Sequence, residues 1–240
     1  MKIKFLGTRG YIDVKTRRHS RHTSTLIIFN GKKVMIDCGI DWSKKVWKIK
    51  PDAIVITHAH PDHAWGLKEG SPCPVYATKQ SWQIMHHYNI KTDQRYIIKP
   101  YVPTNICGVI FEAFTQIHSI KAPAVGYKIT AQKKSIYYSG DIVYIKERKK
   151  ALRNIQLYIG DGATINRPMI RKKDDQLFGH TTIRTQLTWC QKENVPWAII
   201  THCGTQLVAG GRKATDKIKA IAKQKGIKVI TAYDGLTIEL

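Results

Sequence analysis

The chain has 240 residues, 42% of them hydrophobic, and its 40 lysines and arginines against 17 aspartates and glutamates give a formal net charge of +23. That length buries a sizeable core in a single domain, 1–240, while no apolar run reaches the ~18 residues that span a membrane and the N-terminus lacks the apolar region of a secretory signal. The five cysteines form no C-x-x-C pair, which speaks against a disulfide framework and for a reducing cytoplasm.

In chain order, 2–8 reads as a strand and 24–39 as a hairpin around Asn30-Gly31, the strongest short-range turn signal. Helical spacing follows at 41–50 and 79–89, with strand patterns at 52–58, 74–78, 95–101 and 111–118. A second hairpin joins 124–130 to 134–141, and 155–161 is a further strand. The remainder alternates: a helix over 181–194, a strand over 197–202, a helix over 213–226, then strands at 228–233 and 236–240. Hairpins early and strand/helix alternation late predict an α/β fold of two mixed sheets packed together with helices outside.

The polar residues fall at informative places. His58, His118, Asp141, Asp161 and His202 each close an apolar strand-like run, so strands packed side by side deliver them to one rim. Residues 58–63, H-x-H-x-D-H, concentrate donors that suit zinc and related ions. His58 and His60 point to the same side of an extended segment, and a turn at Pro61 brings Asp62 and His63 back from another direction, enough for two ions. His118, Asp141 and His202 complete two clusters, with a carboxylate able to bridge them. Chance accounts poorly for this motif, at about one occurrence in a thousand such chains.

The segments "FLGTRG", "IDCG", "THAHPDHAWGL", "QIHSI", "YSGDI" and "ITHCG" resemble, in order and across nearly the whole chain, the motifs of the metallo-beta-lactamase superfamily. The resemblance implies a four-layered αβ/βα sandwich with a binuclear metal site. It places His58, His60 and His118 on the first ion, Asp62, His63 and His202 on the second, and Asp141 between them; Asp37 braces the histidine loop. "FGHTTI", with His180 opening a helix, is similar to the histidine-hydroxyl motif of ribonuclease Z and of the phosphoribosyl cyclic phosphodiesterase, in which that histidine contacts phosphate or protonates the leaving oxygen. "YIGDGAT" resembles the segment whose carboxylate orients it, although alignment on Ala163-Thr164 puts that carboxylate at Gly162 and leaves Asp161 one position early. The 22 residues between His118 and Asp141 leave no room for the transfer-RNA-gripping arm of ribonuclease Z.

These features predict a phosphodiesterase using two divalent ions, zinc first with manganese or iron as alternatives, acting on RNA, DNA or a small or cyclic nucleotide-like diester, possible homodimers included. Asp62, His180 and Asp161 are its candidate catalytic residues. Basic clusters at 15–21, 146–150 and 167–173 provide a polyanion footprint. Hydrolysis of a lactone or thioester, and nucleic-acid binding without catalysis, are the competing readings; the first leaves His180 and the positive charge without a role. His19 and His22 sit in a basic loop that approaches the site, His86 and His87 belong to a helix surface, and the six tryptophans are expected in the core.

Overall fold

The computed structural model describes residues 1–240. β1 (Lys2–Gly7) pairs antiparallel with β2 (Ser24–Phe29), and the Asn30-Gly31 turn, both residues at positive φ, returns the chain as β3 (Lys32–Ile36). The predicted helix over 41–50 shrinks to a 3-10 turn, Ile40–Trp42, and one helical turn, α1 (Val46–Ile49), because Lys44 and Lys50 both adopt positive φ. β4 (Ala53–Val55) runs into α2 (Pro61–Ala64); β5 (Val75–Ala77), α3 (Lys79–Ile84) and β6 (Arg95–Ile97) follow, with β3 to β6 parallel. α3 ends five residues earlier than its spacing predicts. Arg95 there donates to the Ile90 and Tyr88 carbonyls at 3.0 and 2.7 Å, holding the chain out of the helix.

The second sheet starts with β7 (Thr104–Ile106), β8 (Val109–Ile117), β9 (Ala124–Ala131) and β10 (Lys134–Tyr138), an antiparallel meander. After the short β11 (Tyr144–Ile145) and α4 (Arg148–Leu152), β12 (Leu157–Asp161) joins β10 in parallel. A separate ribbon, β13 (Met169–Lys173) and β14 (Gln176–His180), stands apart from both sheets. α5 (Ile183–Lys192), β15 (Trp197–Thr201), α6 (Thr205–Gln224), β16 (Lys228–Thr231) and β17 (Thr237–Glu239) complete the chain. β17 returns to β1, so the sheet orders are β17-β1-β2-β3-β4-β5-β6 and β11-β8-β9-β10-β12-β15-β16.

Period-2 burial explains the four layers. Val34, Ile36 and Val55 turn toward the space between the sheets, where they meet Phe111, Tyr127 and Ile199. Their neighbours Met35 and Ile54 face the other way, onto Trp42, Leu67 and Trp82. In β15, Ala198 and Ile200 pack outward against Leu187 of α5 and Ile218 of α6. Strands buried on both faces therefore read as continuous apolar runs.

Two expectations need correction. His180 does not open a helix: it is the last residue of β14, and α5 starts at Ile183 with the Thr182 hydroxyl accepting from the Thr185 amide at 3.0 Å. Nor do all tryptophans enter the core, since Trp47 is 49% exposed. The sequence reading also holds no strand at 169–180. Its cationic residues hide the pattern, and the turn is made by Asp174-Asp175 (φ 47 and 61), a type I′ geometry that asparagine-glycine signals more plainly.

Candidate metal centre

β8, β10, β12 and β15 all point the same way across the second sheet, so the residues beyond their C-terminal ends meet on one rim. His118 follows β8, Asp141 follows β10, Asp161 closes β12 and His202 follows β15. β4 delivers the remaining donors from the first sheet. His60 caps α2 in extended geometry with Pro61 at the first helical position, and this single turn aims Asp62 and His63 back at His58. His202 has φ 50, a left-handed conformation that costs a β-side-chain residue on the order of 1 kcal/mol and turns the imidazole into the site.

Three overlapping sets of ligand-type atoms result, each lying within 4.8 Å of one another; the third, Asp141, Asp161, His180 and His202, shares Asp141 and His202 with the second. In the first, His60 Nδ1 is 3.1 Å from His58 Nε2 and 3.2 Å from His118 Nε2, while Asp141 Oδ2 is 3.8 and 3.5 Å from those two nitrogens. In the second, Asp62 Oδ2 is 3.0 Å from His202 Nε2 and 3.4 Å from His63 Nε2, and Asp141 Oδ1 is 3.1 Å from both imidazoles. Asp141 thus turns one oxygen to the first set and the other to the second. A tetrahedral ion with bonds of about 2.0–2.2 Å has ligand edges of about 3.3–3.6 Å, and these spacings, from 3.0 to 3.8 Å, extend to either side of that range. His63 Nε2 and Asp141 Oδ1 are buried and make no hydrogen bond despite facing each other. Orphaned donors of this kind are what a cation satisfies, so the residues fit two divalent ions.

The far nitrogens are engaged as metal-site histidines require. His63 Nδ1 reaches Asp37 at 2.8 Å, His58 Nδ1 the Thr57 hydroxyl at 3.0 Å, and His118 Nδ1 the Gly179 carbonyl at 2.9 Å. Asp161 serves two rings: Oδ1 is 3.1 Å from His202 Nδ1 and Oδ2 is 2.7 Å from His180 Nδ1. It also accepts from the Ile142 and Ala163 amides. Its place one residue before Gly162 has a steric reason, because a Cβ at 162 would sit 2.5 Å from the Thr201 carbonyl oxygen. Burial opposes ionisation of Asp161, yet the His180 charge beside it outweighs this and holds it down at about 2. The same pair raises His180 above the ordinary imidazole range against its burial. Burial likewise opposes charge on Asp62 and Asp141, and the imidazoles around them keep both well below the usual carboxylate range.

A cavity of about 520 Å³ opens over the centre, lined by His60, His180 and His202 together with Tyr11 and Arg167. The structure brings all nine sequence-derived candidates here. His19 and His22 do not enter the clusters: they are buried in the loop after β1, where His19 Nδ1 meets the Thr8 hydroxyl at 2.8 Å and His22 Nδ1 lies 2.8 Å from Asp41. Burial pushes His22 down to about 4. His86 and His87 are exposed at the end of α3, away from the rim. Sequence reasoning missed Thr57 and the Gly179 carbonyl, which no residue-type signal marks because both act through hydrogen bonds that the fold alone creates.

A family model described as the beta-lactamase superfamily domain matches residues 32–203. The chain belongs to that superfamily. Ribonuclease Z of Methanopyrus kandleri is 36% identical over 70 residues, covering 27% of this chain and 24% of that protein. Exodeoxyribonuclease WalJ of Streptococcus pneumoniae is 28% identical over 133 residues, 49% of each chain. This superfamily member thus spans about a quarter and about half of the two relatives. The metallo-beta-lactamase fold protein YhfI from Bacillus subtilis superposes over 100% of the chain and 99% of its own with a TM-score of 0.78 at 17% identity, a likeness of fold. No helix is long and apolar enough to cross a membrane.

Proposed function

We propose that this superfamily member is a binuclear metal-dependent phosphodiesterase acting on RNA, DNA or a nucleotide-like diester. The observation that carries the reading is His180, held 2.7 Å from the buried Asp161 on the cavity wall beside the shared cluster. Two divalent ions, zinc or with these donors manganese or iron, would supply Lewis acidity that polarises the phosphate and makes water nucleophilic near neutral pH. Asp62 is the ionised, buried carboxylate whose free lone pairs orient that water. With His180 Nδ1 tied to Asp161, Nε2 is the nitrogen left for the cavity. Asp161 raises its basicity and so favours the protonated ring, which would give its proton to the leaving oxygen as the P–O bond breaks and regain one from solvent. The ribonuclease and exodeoxyribonuclease named among the relatives, and the +23 charge, support a polyanionic substrate.

The test is hydrolysis of bis(p-nitrophenyl) phosphate by the metal-loaded protein, beside a lactone, a thioester and a diester with an alkoxide leaving group. Asp62→Ala abolishes diester turnover. His180→Ala lowers kcat by about 10²–10⁴-fold on the alkoxide diester, where proton donation is needed, and far less on the nitrophenyl diester. Cleavage of the lactone or thioester with both diesters intact would overturn the assignment.

A further inference from the structure

We propose that the β13–β14 ribbon is an arm that holds single-stranded polynucleotide on one side of the metal centre; this rests on the phosphodiesterase reading. The register gives the ribbon a site face. Met169 pairs with His180 and Arg171 with Phe178, and Lys173 with Gln176, so side chains alternate and these three pairs share the face that carries His180. Lys172 and Leu177 belong to the opposite face.

Charge divides the same way. Lys172 on the outer face is taken by Asp175 at 2.6 Å, whereas Arg171 and Lys173 are exposed and make no ion pair. Their positions are two residues apart, about 7 Å along the strand, with the half-buried Phe178 ring beside Arg171. Free cations spaced along a strand with an aromatic beside one of them are what a single strand needs for phosphate contact and base stacking.

The groove is continuous with the centre. A cleft of about 660 Å³ is lined by His60, His118 and His180 together with Arg167, Arg171 and Phe178, and Lys173, the next residue on the same face of β13, lies just past this lining. The base of the arm is pinned to a candidate ligand, since the Gly179 amide donates to the His118 carbonyl at 2.7 Å while His118 Nδ1–H donates to the Gly179 carbonyl.

The experiment measures binding of a fluorescein-labelled, cleavage-resistant phosphorothioate oligonucleotide to the metal-loaded protein across a salt series. Arg171→Gln with Lys173→Gln reduces the slope of log K against log salt by about 1.4, the value for two lost phosphate contacts on a single strand. Lys133→Gln with Lys223→Gln removes the same charge at exposed sites, in the turn before β10 and in the last turn of α6, and leaves the slope at the parent value. Equal slope changes in both variants would mean bulk charge and overturn the proposal, as would an arm variant that alters only the sedimentation mass, which would make the ribbon a contact between two copies. Failure of the parent reading is separate. If the diester assays are positive and the slope does not move, the arm is wrong; if the slope moves while every diester survives, the strand is held and the phosphodiesterase assignment is wrong.

Discussion

At the scale of single residues, Asp161 does the most with the least. One carboxylate accepts Nδ1–H from two imidazoles, His180 at 2.7 Å and His202 at 3.1 Å, and so sets the tautomer of the proposed proton donor and of a candidate ligand together. Asp161→Asn keeps the shape but presents an amide N–H₂ to one of those rings, where two donors then face each other. The expected result is a 10- to 100-fold loss, of the order seen for partners that orient metal ligands. It appears in kcat on the alkoxide diester if His180 is misoriented and in bound-metal content if His202 is, so both are measured on one preparation. A purely structural Asp161 would change melting temperature and neither of these. Residue types made Asp161 visible in the sequence as a strand-end carboxylate. Family spacing argued against it, and only the crowding of position 162 against Thr201 resolves the one-residue offset.

Among the elements, the ribbon base is the most exacting. Gly179 has φ +113, and a Cβ there would lie 1.9 Å from the Met169 carbonyl oxygen, so no other residue fits. Gly179→Ala must push β14 off β13 and break both hydrogen bonds to His118. Metal affinity, read by competition with a chromophoric chelator, is expected to fall about 10- to 100-fold although Gly179 is not itself a candidate ligand. Elements whose apolar residues face a core were legible: the Asn30-Gly31 hairpin, β4 running into the histidine loop, the β9–β10 hairpin and α5 all lie where their patterns put them. What escaped is what no core explains. The ribbon is solvent-exposed on 166–177 and has no buried face to leave a period, and α6 begins eight residues before its apolar repeat because Gly211, at φ 50 and ψ −124, interrupts the pattern.

For the whole molecule, the donors come from both halves. His58, His60, Asp62 and His63 hang from the first sheet, and His118, Asp141 and His202 from the second. Ions held by these sets would cross-link the layers at the rim, on top of the apolar core that already joins them, and that would make binding a term in global stability. At free metal about 100 times Kd the gain is about 2.7 kcal/mol per ion. For a chain of this size each kcal/mol moves the melting point by about 2–4 °C, so stripping the ions with a chelator lowers it by roughly 5–20 °C, depending on whether one or both leave. Calorimetry with and without chelator measures this directly. Asp141→Asn discriminates further, because its two oxygens face different sets: the variant should show a smaller chelator-induced shift than the parent, whereas a chelator-insensitive parent would mean that these seven side chains hold no ion that bears on the fold.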